Sequence, residues 1–380
     1  MPFFPSSRLA QDASYSNQFM QQKKAAFLLA PVLAAGFLTW VWRSKPYTIQ
    51  ADNCATITSA GRIRLALLRQ LIKRGGPSRR KLGVPKETMR TIEQREVATA
   101  YGAAPVTFYW PETTTEPLPV YVNFHGGGFV LGFPGQDDLL CRYLAHHAQC
   151  VVVNVDYTLA PEHPFPAAVY QCYEVVKWVH EQASALGYDA SRLAIGGHSA
   201  GGNFAAAVAL LVKERQEFAL ALQILDYPSL NLAERTDHKH VLRRKKQVLP
   251  VELASFFKHM YVPRPADCLN PLASPLLAED LTGLAPALII TAEYDLLRDD
   301  GNEYAQKLRE QGVAVTHEEF KGVDHAFTHF GPKEPAQRAW NLMLTCLKQA
   351  LHGSAQPNAF AESTADLATA PALNAVLPNF

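Results

Sequence analysis

Neither sign of charge prevails in this sequence. Its 380 residues carry 36 Lys and Arg against 35 Asp and Glu, a formal net charge of +1, so no basic field argues for a nucleic-acid partner. Cysteine is scarce, and the six present, at 54, 141, 150, 172, 268 and 346, include no C-x-x-C pair. That spacing supports neither a disulfide framework nor a zinc site, and buried free thiols are the plainer reading. Internal repeats, a phosphate-binding P-loop and a dinucleotide fingerprint are also missing, so the pattern implies no metal and no organic cofactor. What remains is a chain long enough, and at 48% hydrophobic content apolar enough, to bury the core of a globular enzyme.

Against these absences stands one dense stretch. Residues 192–203 read as an apolar strand, a turn too tight for ordinary side chains and the start of a helix of small residues. Ser199 is at the apex of Gly197-His198-Ser199-Ala200-Gly201, a G-x-S-x-G elbow that would expose its hydroxyl. A serine hydroxyl is a poor nucleophile at neutral pH. It needs a histidine to take its proton and a carboxylate to orient that histidine.

Both partners follow in the chain order Ser, acid, His that such elbows require. An apolar run over 284–292 leads into Glu293-Tyr294-Asp295, and an acid just past the carboxyl end of a buried parallel strand is well placed for function. Asp295 is favoured. Glu293, one residue inside the strand, competes with it, as do Asp299 and Asp300, which suit the positive end of a helix over 301–311. A strand pattern over 313–320 and a turn over 321–324 then deliver His325. Among thirteen histidines, His146, His147 and His180 fall in helical patterns and His317 within the strand. Upstream, an apolar strand over 119–124 runs into His125-Gly126-Gly127-Gly128-Phe129, whose bare glycines leave N–H groups free to face a developing negative oxygen.

From residue 90 onward, strands near 106–110, 119–124, 150–155, 192–196, 221–226, 286–292 and 314–320 alternate with helical stretches near 137–148, 167–186, 201–216, 301–311 and 334–351. That alternation argues for an α/β architecture, a mostly parallel sheet with helices on both faces. Residues 231–265 interrupt it with the basic run Arg243-Arg244-Lys245-Lys246, read as a solvated loop before a membrane or ligand contact, and an aromatic helical stretch over 252–261.

Taken together, the 125–129 block, the 156–168 block from Asp156-Tyr157 to Ala167-Ala168, the elbow 197–202, the acid segment 294–301 and Asp324-His325-Ala326-Phe327 resemble the hormone-sensitive-lipase-like branch of the α/β-hydrolases, the bacterial family IV esterases. The resemblance spans residues 60–350. It implies an α/β-hydrolase fold with a helical cap built from elements near 60–92, including a helix over 63–73, and near 231–265. It also implies Ser199 as nucleophile, Asp295 as orienting acid, His325 as base, and N–H donors from Gly127, Gly128 and Ala200. His125 would brace the glycine loop, and the block around Glu162 would fix a turn. The expected substrates are carboxylic esters with short to medium acyl chains, cleaved through an acyl-enzyme without cofactor or metal. An amide-cleaving deacetylase of arylacetamide type and a non-catalytic hydrolase-fold binding protein are the alternatives. One position departs from the family's usual block: His198 stands before the serine, where Asp or a small residue is frequent.

The amino end follows different rules. Residues 25–42 form an uncharged apolar run flanked by Lys23 and Lys24 before it and Arg43 and Lys45 after it, with Trp40 and Trp42 suited to an interfacial belt. A single membrane anchor is the favoured reading, over a cap or interfacial helix and over a cleaved signal peptide. The basic residues from 62 to 81 lean toward a cytoplasmic catalytic domain, a soluble cytoplasmic enzyme being the alternative. The expected layout is a flexible segment over 1–24, the anchor over 25–42, the catalytic domain over 55–351 and an unpacked tail over 353–380.

Overall fold

The computed structural model describes residues 47–49, 55–73, 79–112, 117–242 and 247–353. A short hairpin, β1 (Tyr47–Ile49) and β2 (Ala55–Ile57), precedes the main sheet. The sheet comprises β3 (Thr91–Val97), β4 (Ala104–Trp110), β5 (Leu118–Phe124), β6 (Val151–Val155), β7 (Tyr188–His198), β8 (Leu222–Asp226), β9 (Ala287–Ala292) and β10 (Val315–Phe320). Its 8 strands run in the order β10-β9-β8-β7-β5-β6-β4-β3, parallel from β10 to β6 and antiparallel where β4 meets β6 and β3.

The central strands are continuous apolar runs because both of their faces are buried. Successive residues separate two cores: Val120, Val122 and Phe124 enter one and Tyr121 the other, and Ile289 lies opposite Leu288 and Ile290. The longer helices are α1 (Ser59–Ile72), α2 (Asp138–Ala148), α3 (Ala167–Glu181), α4 (Ala200–Arg215), α5 (Val251–Tyr261), α6 (Arg298–Glu310) and α7 (Lys333–His352). The first core takes most of its helical side chains from α3, α4 and α6, joined by Leu65 of α1 and Phe256, Phe257, Met260 and Tyr261 of α5, and the second from α2 and α7. All 5 described cysteines are free and buried.

Two helices outside these layers, α1 and α5, overhang the carboxyl end of the sheet. The hairpin joins them through the Ala55 N–H to the Pro263 carbonyl at 3.0 Å, and Tyr47 stacks on His259 with centroids 5.1 Å apart. Arg69 of α1 fastens this layer to the body, donating to the carbonyls of Val130 (2.8 Å) and Ala160 (2.6 Å) and pairing with Glu162 at 2.9 Å. The apolar segment 25–42, the basic run 243–246 and residues 354–380 lie outside the described residues. Among the described residues, no helix is long and apolar enough to cross a membrane.

Candidate active site

The carboxyl ends of β5, β7, β8 and β9 lie side by side, with Phe124 level with Gly197 and His198 level with Asp226. Between β7 and α4 the chain reverses at Ser199, whose φ of 55° and ψ of −115° form a strained turn for a residue with a side chain. The strain is held by packing: the Ser199 N–H donates to the Asp226 carbonyl at 2.9 Å. Gly201 meanwhile lies so close to Phe124 that a Cβ there would collide with its carbonyl oxygen.

Asp295 follows β9 and His325 follows β10, and both reach the serine. Asp295 Oδ2 is 2.7 Å from His325 Nδ1, and His325 Nε2 is 3.0 Å from Ser199 Oγ. A carboxylate only accepts, so Nδ1 carries the imidazole proton and Nε2 offers its lone pair to the serine hydroxyl. The other oxygen of Asp295 accepts the Leu297 N–H at 3.0 Å. All three side chains are buried, Asp295 almost fully at 1% exposure.

The competing acids lie elsewhere. Glu293 accepts the Gly322 N–H at 2.7 Å and so shapes the turn before the histidine. Asp299 pairs with Arg298 at 2.8 Å. Asp300 is buried, pairs with Lys239 and accepts the N–H groups of Leu230 and Asn231. Asp324, which the sequence marks only as part of the 324–327 block and not as a candidate acid, accepts the His325 N–H at 2.7 Å and the Val248 N–H at 3.2 Å, joining the histidine loop to the 247–250 segment. Its adjacency to His325 was the available signal.

The orientation of the glycine loop follows from its carbonyls. In a trans peptide the C=O of one residue and the N–H of the next lie on opposite edges. The Gly126 carbonyl accepts from His125 Nδ1 (2.9 Å) and Gln136 Nε2 (3.1 Å), and the Gly127 carbonyl accepts the Leu131 N–H at 2.8 Å. The N–H groups of Gly127 and Gly128 are thereby turned the other way. Likewise the Ser199 carbonyl accepts the Asn203 N–H at 3.1 Å, which leaves the Ala200 N–H among the first N–H groups of α4 that have no partner within the helix, at the cavity.

Gly127, Gly128, Ser199, Ala200 and His325 all line one cavity of about 270 Å³. Its walls are apolar, from Leu131, Leu232, Leu249 and Leu253 to Phe257 of α5 and Phe330. Tyr227 lies beside His325 with ring centroids 4.9 Å apart. Burial pushes its phenol well above the usual range, so it stays a neutral hydroxyl.

A family model for the alpha/beta hydrolase fold matches residues 121–329. The chain is an α/β-hydrolase. This hydrolase is 37% identical to carboxylesterase NlhH of Mycobacterium tuberculosis over 280 residues, which cover 72% of this chain and 88% of that protein. It is 29% identical to arylacetamide deacetylase of Bos taurus, the match covering 87% of this chain and 100% of the bovine protein. A hyperthermophilic esterase from the archaeon Pyrobaculum calidifontis superposes with a TM-score of 0.69 at 37% identity, covering 75% of this chain and 91% of the other. These relatives place the hydrolase in the hormone-sensitive-lipase-like branch, as an enzyme of carboxylic ester hydrolysis.

Proposed function

We propose that this esterase works by two-step acyl transfer at Ser199. The single observation that carries the reading is the unbroken chain from Asp295 through His325 to Ser199, at 2.7 and 3.0 Å. His325 Nε2 takes the hydroxyl proton as Oγ attacks the ester carbonyl, and Asp295 holds the tautomer and stabilises the imidazolium. The carbonyl oxygen, now negative, rests on the N–H groups of Gly127, Gly128 and Ala200. His325 returns the proton to the departing alcohol. It then takes one from water, which attacks the acyl-enzyme and releases the acid and the free serine.

The modest apolar cavity favours esters with short to medium acyl chains. Amide cleavage is the second reading, supported by the likeness to a protein named arylacetamide deacetylase. Ser199→Ala should remain folded and lose roughly 10⁵–10⁶-fold in kcat on p-nitrophenyl esters, as nucleophile removal does in serine hydrolases. Turnover near that of the parent would refute the assignment. Matched ester and anilide substrates, compared by kcat/KM, separate the two readings. Association with a membrane through residues 25–42 belongs with these proposals, and fractionation of the full chain against one lacking residues 1–45 tests it.

A further inference from the structure

His198 is where this chain departs from its family's usual block, and acyl transfer as described leaves it without a task. The residue is only 6% exposed, and its ring stacks on His329 with centroids 3.9 Å apart. Its Nε2 accepts the N–H of Gly126 at 2.9 Å, with the Gln136 amide nitrogen 3.3 Å away. A neutral imidazole carries one N–H, so acceptance at Nε2 puts the proton on Nδ1. Nδ1 faces Asp137 Oδ2 at 3.6 Å.

Asp137 is itself fully buried and is held from two further sides, by Asn123 Nδ2 at 2.7 Å and His329 Nε2 at 3.2 Å. Around the His198 ring stand Asp137, His329, His125, His325 and Tyr227. Burial keeps the ring neutral, the only form that can accept from Gly126.

The donor atoms of Asp137, His198 and His329 come within 4.8 Å of one another, close enough to suggest a cation site. The tautomer argues otherwise. With Gly126 on Nε2, Nδ1 is protonated and has no lone pair for a metal.

The consequence falls on the glycine loop. Gly126 donates to His198 on one edge of its peptide, and on the other edge the His125 carbonyl accepts the Tyr157 hydroxyl. The next peptide is the one that carries the Gly127 N–H. The ring packs so closely that a Cβ at 126 would lie 2.5 Å from His198 Cδ2.

We propose that His198, whose Nδ1 approaches Asp137 Oδ2 to 3.6 Å without a hydrogen bond, positions the glycine loop for the oxyanion by accepting the Gly126 N–H at Nε2. The inference rests on the acyl-transfer reading above, because it assigns the loop its role there. His198 touches no reacting atom; it is a positioning residue.

Two polar variants divide its functions. In His198→Asn the side-chain amide reaches the place of Nδ1 and can face Asp137, but it is too short to accept from Gly126. In His198→Gln the carbonyl oxygen reaches the place of Nε2. A fluorophosphonate probe first counts reactive Ser199 in each preparation, and kinetics are expressed per reactive site. His198→Asn should lose about 10–100-fold in kcat on p-nitrophenyl butyrate, less than the roughly 10²–10³-fold of removing an oxyanion donor outright, with KM changed less than about threefold. A trifluoromethyl ketone, whose serine adduct carries the oxyanion, should weaken by the same factor as kcat. His198→Gln should return to within about fivefold of the parent.

Equal kcat in the Asn variant and the parent would overturn the inference, as would equal losses in the Asn and Gln variants or a loss confined to KM. Failure of the parent serine to label would instead overturn the acyl-transfer reading itself.

Discussion

Asp295 differs from the carboxylates near it less in sequence than in what it touches. It alone of the four candidates meets an imidazole, at 2.7 Å, while Asp300, five residues on, meets Lys239 and two backbone N–H groups beneath the 230–240 segment. The two should therefore fail in different ways. Asp295→Asn presents an amide that allows the wrong imidazole tautomer, and kcat should fall about 10⁴-fold with little change in melting temperature. Asp300→Asn leaves the buried Lys239 charge with only the longer contact to Glu234 at 3.8 Å and should cost up to roughly 3–5 kcal/mol of stability, with kcat of the folded enzyme within a few-fold of the parent. Thermal melts beside kinetics on both variants check this, and the reverse pattern would move the acid to Asp300. At this scale the sequence was readable wherever function demands a local backbone feature. Ser199 needs its elbow, His325 its loop after a strand, and the glycines their bareness. Asp137 and His329 carried no such mark. They meet only because the sheet brings residues 192 positions apart to a 3.2 Å contact.

Among the elements, the strands with two buried faces announced themselves, because continuous apolar runs such as Val151–Val155 have no other stable place. The edge strand β3 did not. Its residues, Thr-Ile-Glu-Gln-Arg-Glu-Val, are mostly exposed, and only pairing with β4 makes them a strand. The β1–β2 hairpin, with 3 residues to each strand, is too short to impose a period and depends on its contact with α5. The cap helices were legible as helices, but their reach over the site was not. Phe257 of α5 presses on Gly128 so closely that a Cβ there would strike its ring. The same ring is part of the cavity wall beside Ser199. Phe257→Ala should therefore lengthen the cavity along α5 and move the best p-nitrophenyl ester to a longer acyl chain. Loss of the buried ring should cost roughly 3–5 kcal/mol of stability. A series of acyl lengths assayed by kcat/KM decides the point, and an unchanged optimum would mean that the acyl group lies elsewhere.

Across the whole molecule, near-neutral net charge hides strongly opposed buried groups, and their titrations partly cancel. Burial holds the His198 and His317 imidazoles neutral, the latter with a pKa of about 4, so each contributes stability that grows as pH rises toward the unfolded value. Asp226 at the end of β8 works in the opposite sense. Burial pushes its carboxyl up to about 7 even though Thr328 donates to one oxygen at 2.7 Å. Its other oxygen has no hydrogen-bond partner. Between its unfolded value near 3.8 and about 7 the folded chain binds the extra proton, so this group's contribution to stability declines as pH rises through that window. A melting curve of the parent alone mixes the two trends. The difference between the parent and Asp226→Asn isolates one of them, because the amide keeps the shape and the acceptor for Thr328 but never ionises. Below pH 4 the two proteins should differ by a constant amount. From about pH 4 to 7 the variant should gain steadily on the parent, and above about 7 the gap should level off. Melting temperatures taken at half-unit steps from pH 3.5 to 8.5 at fixed ionic strength provide the measurement. A flat difference across that range would mean that Asp226 is ionised throughout.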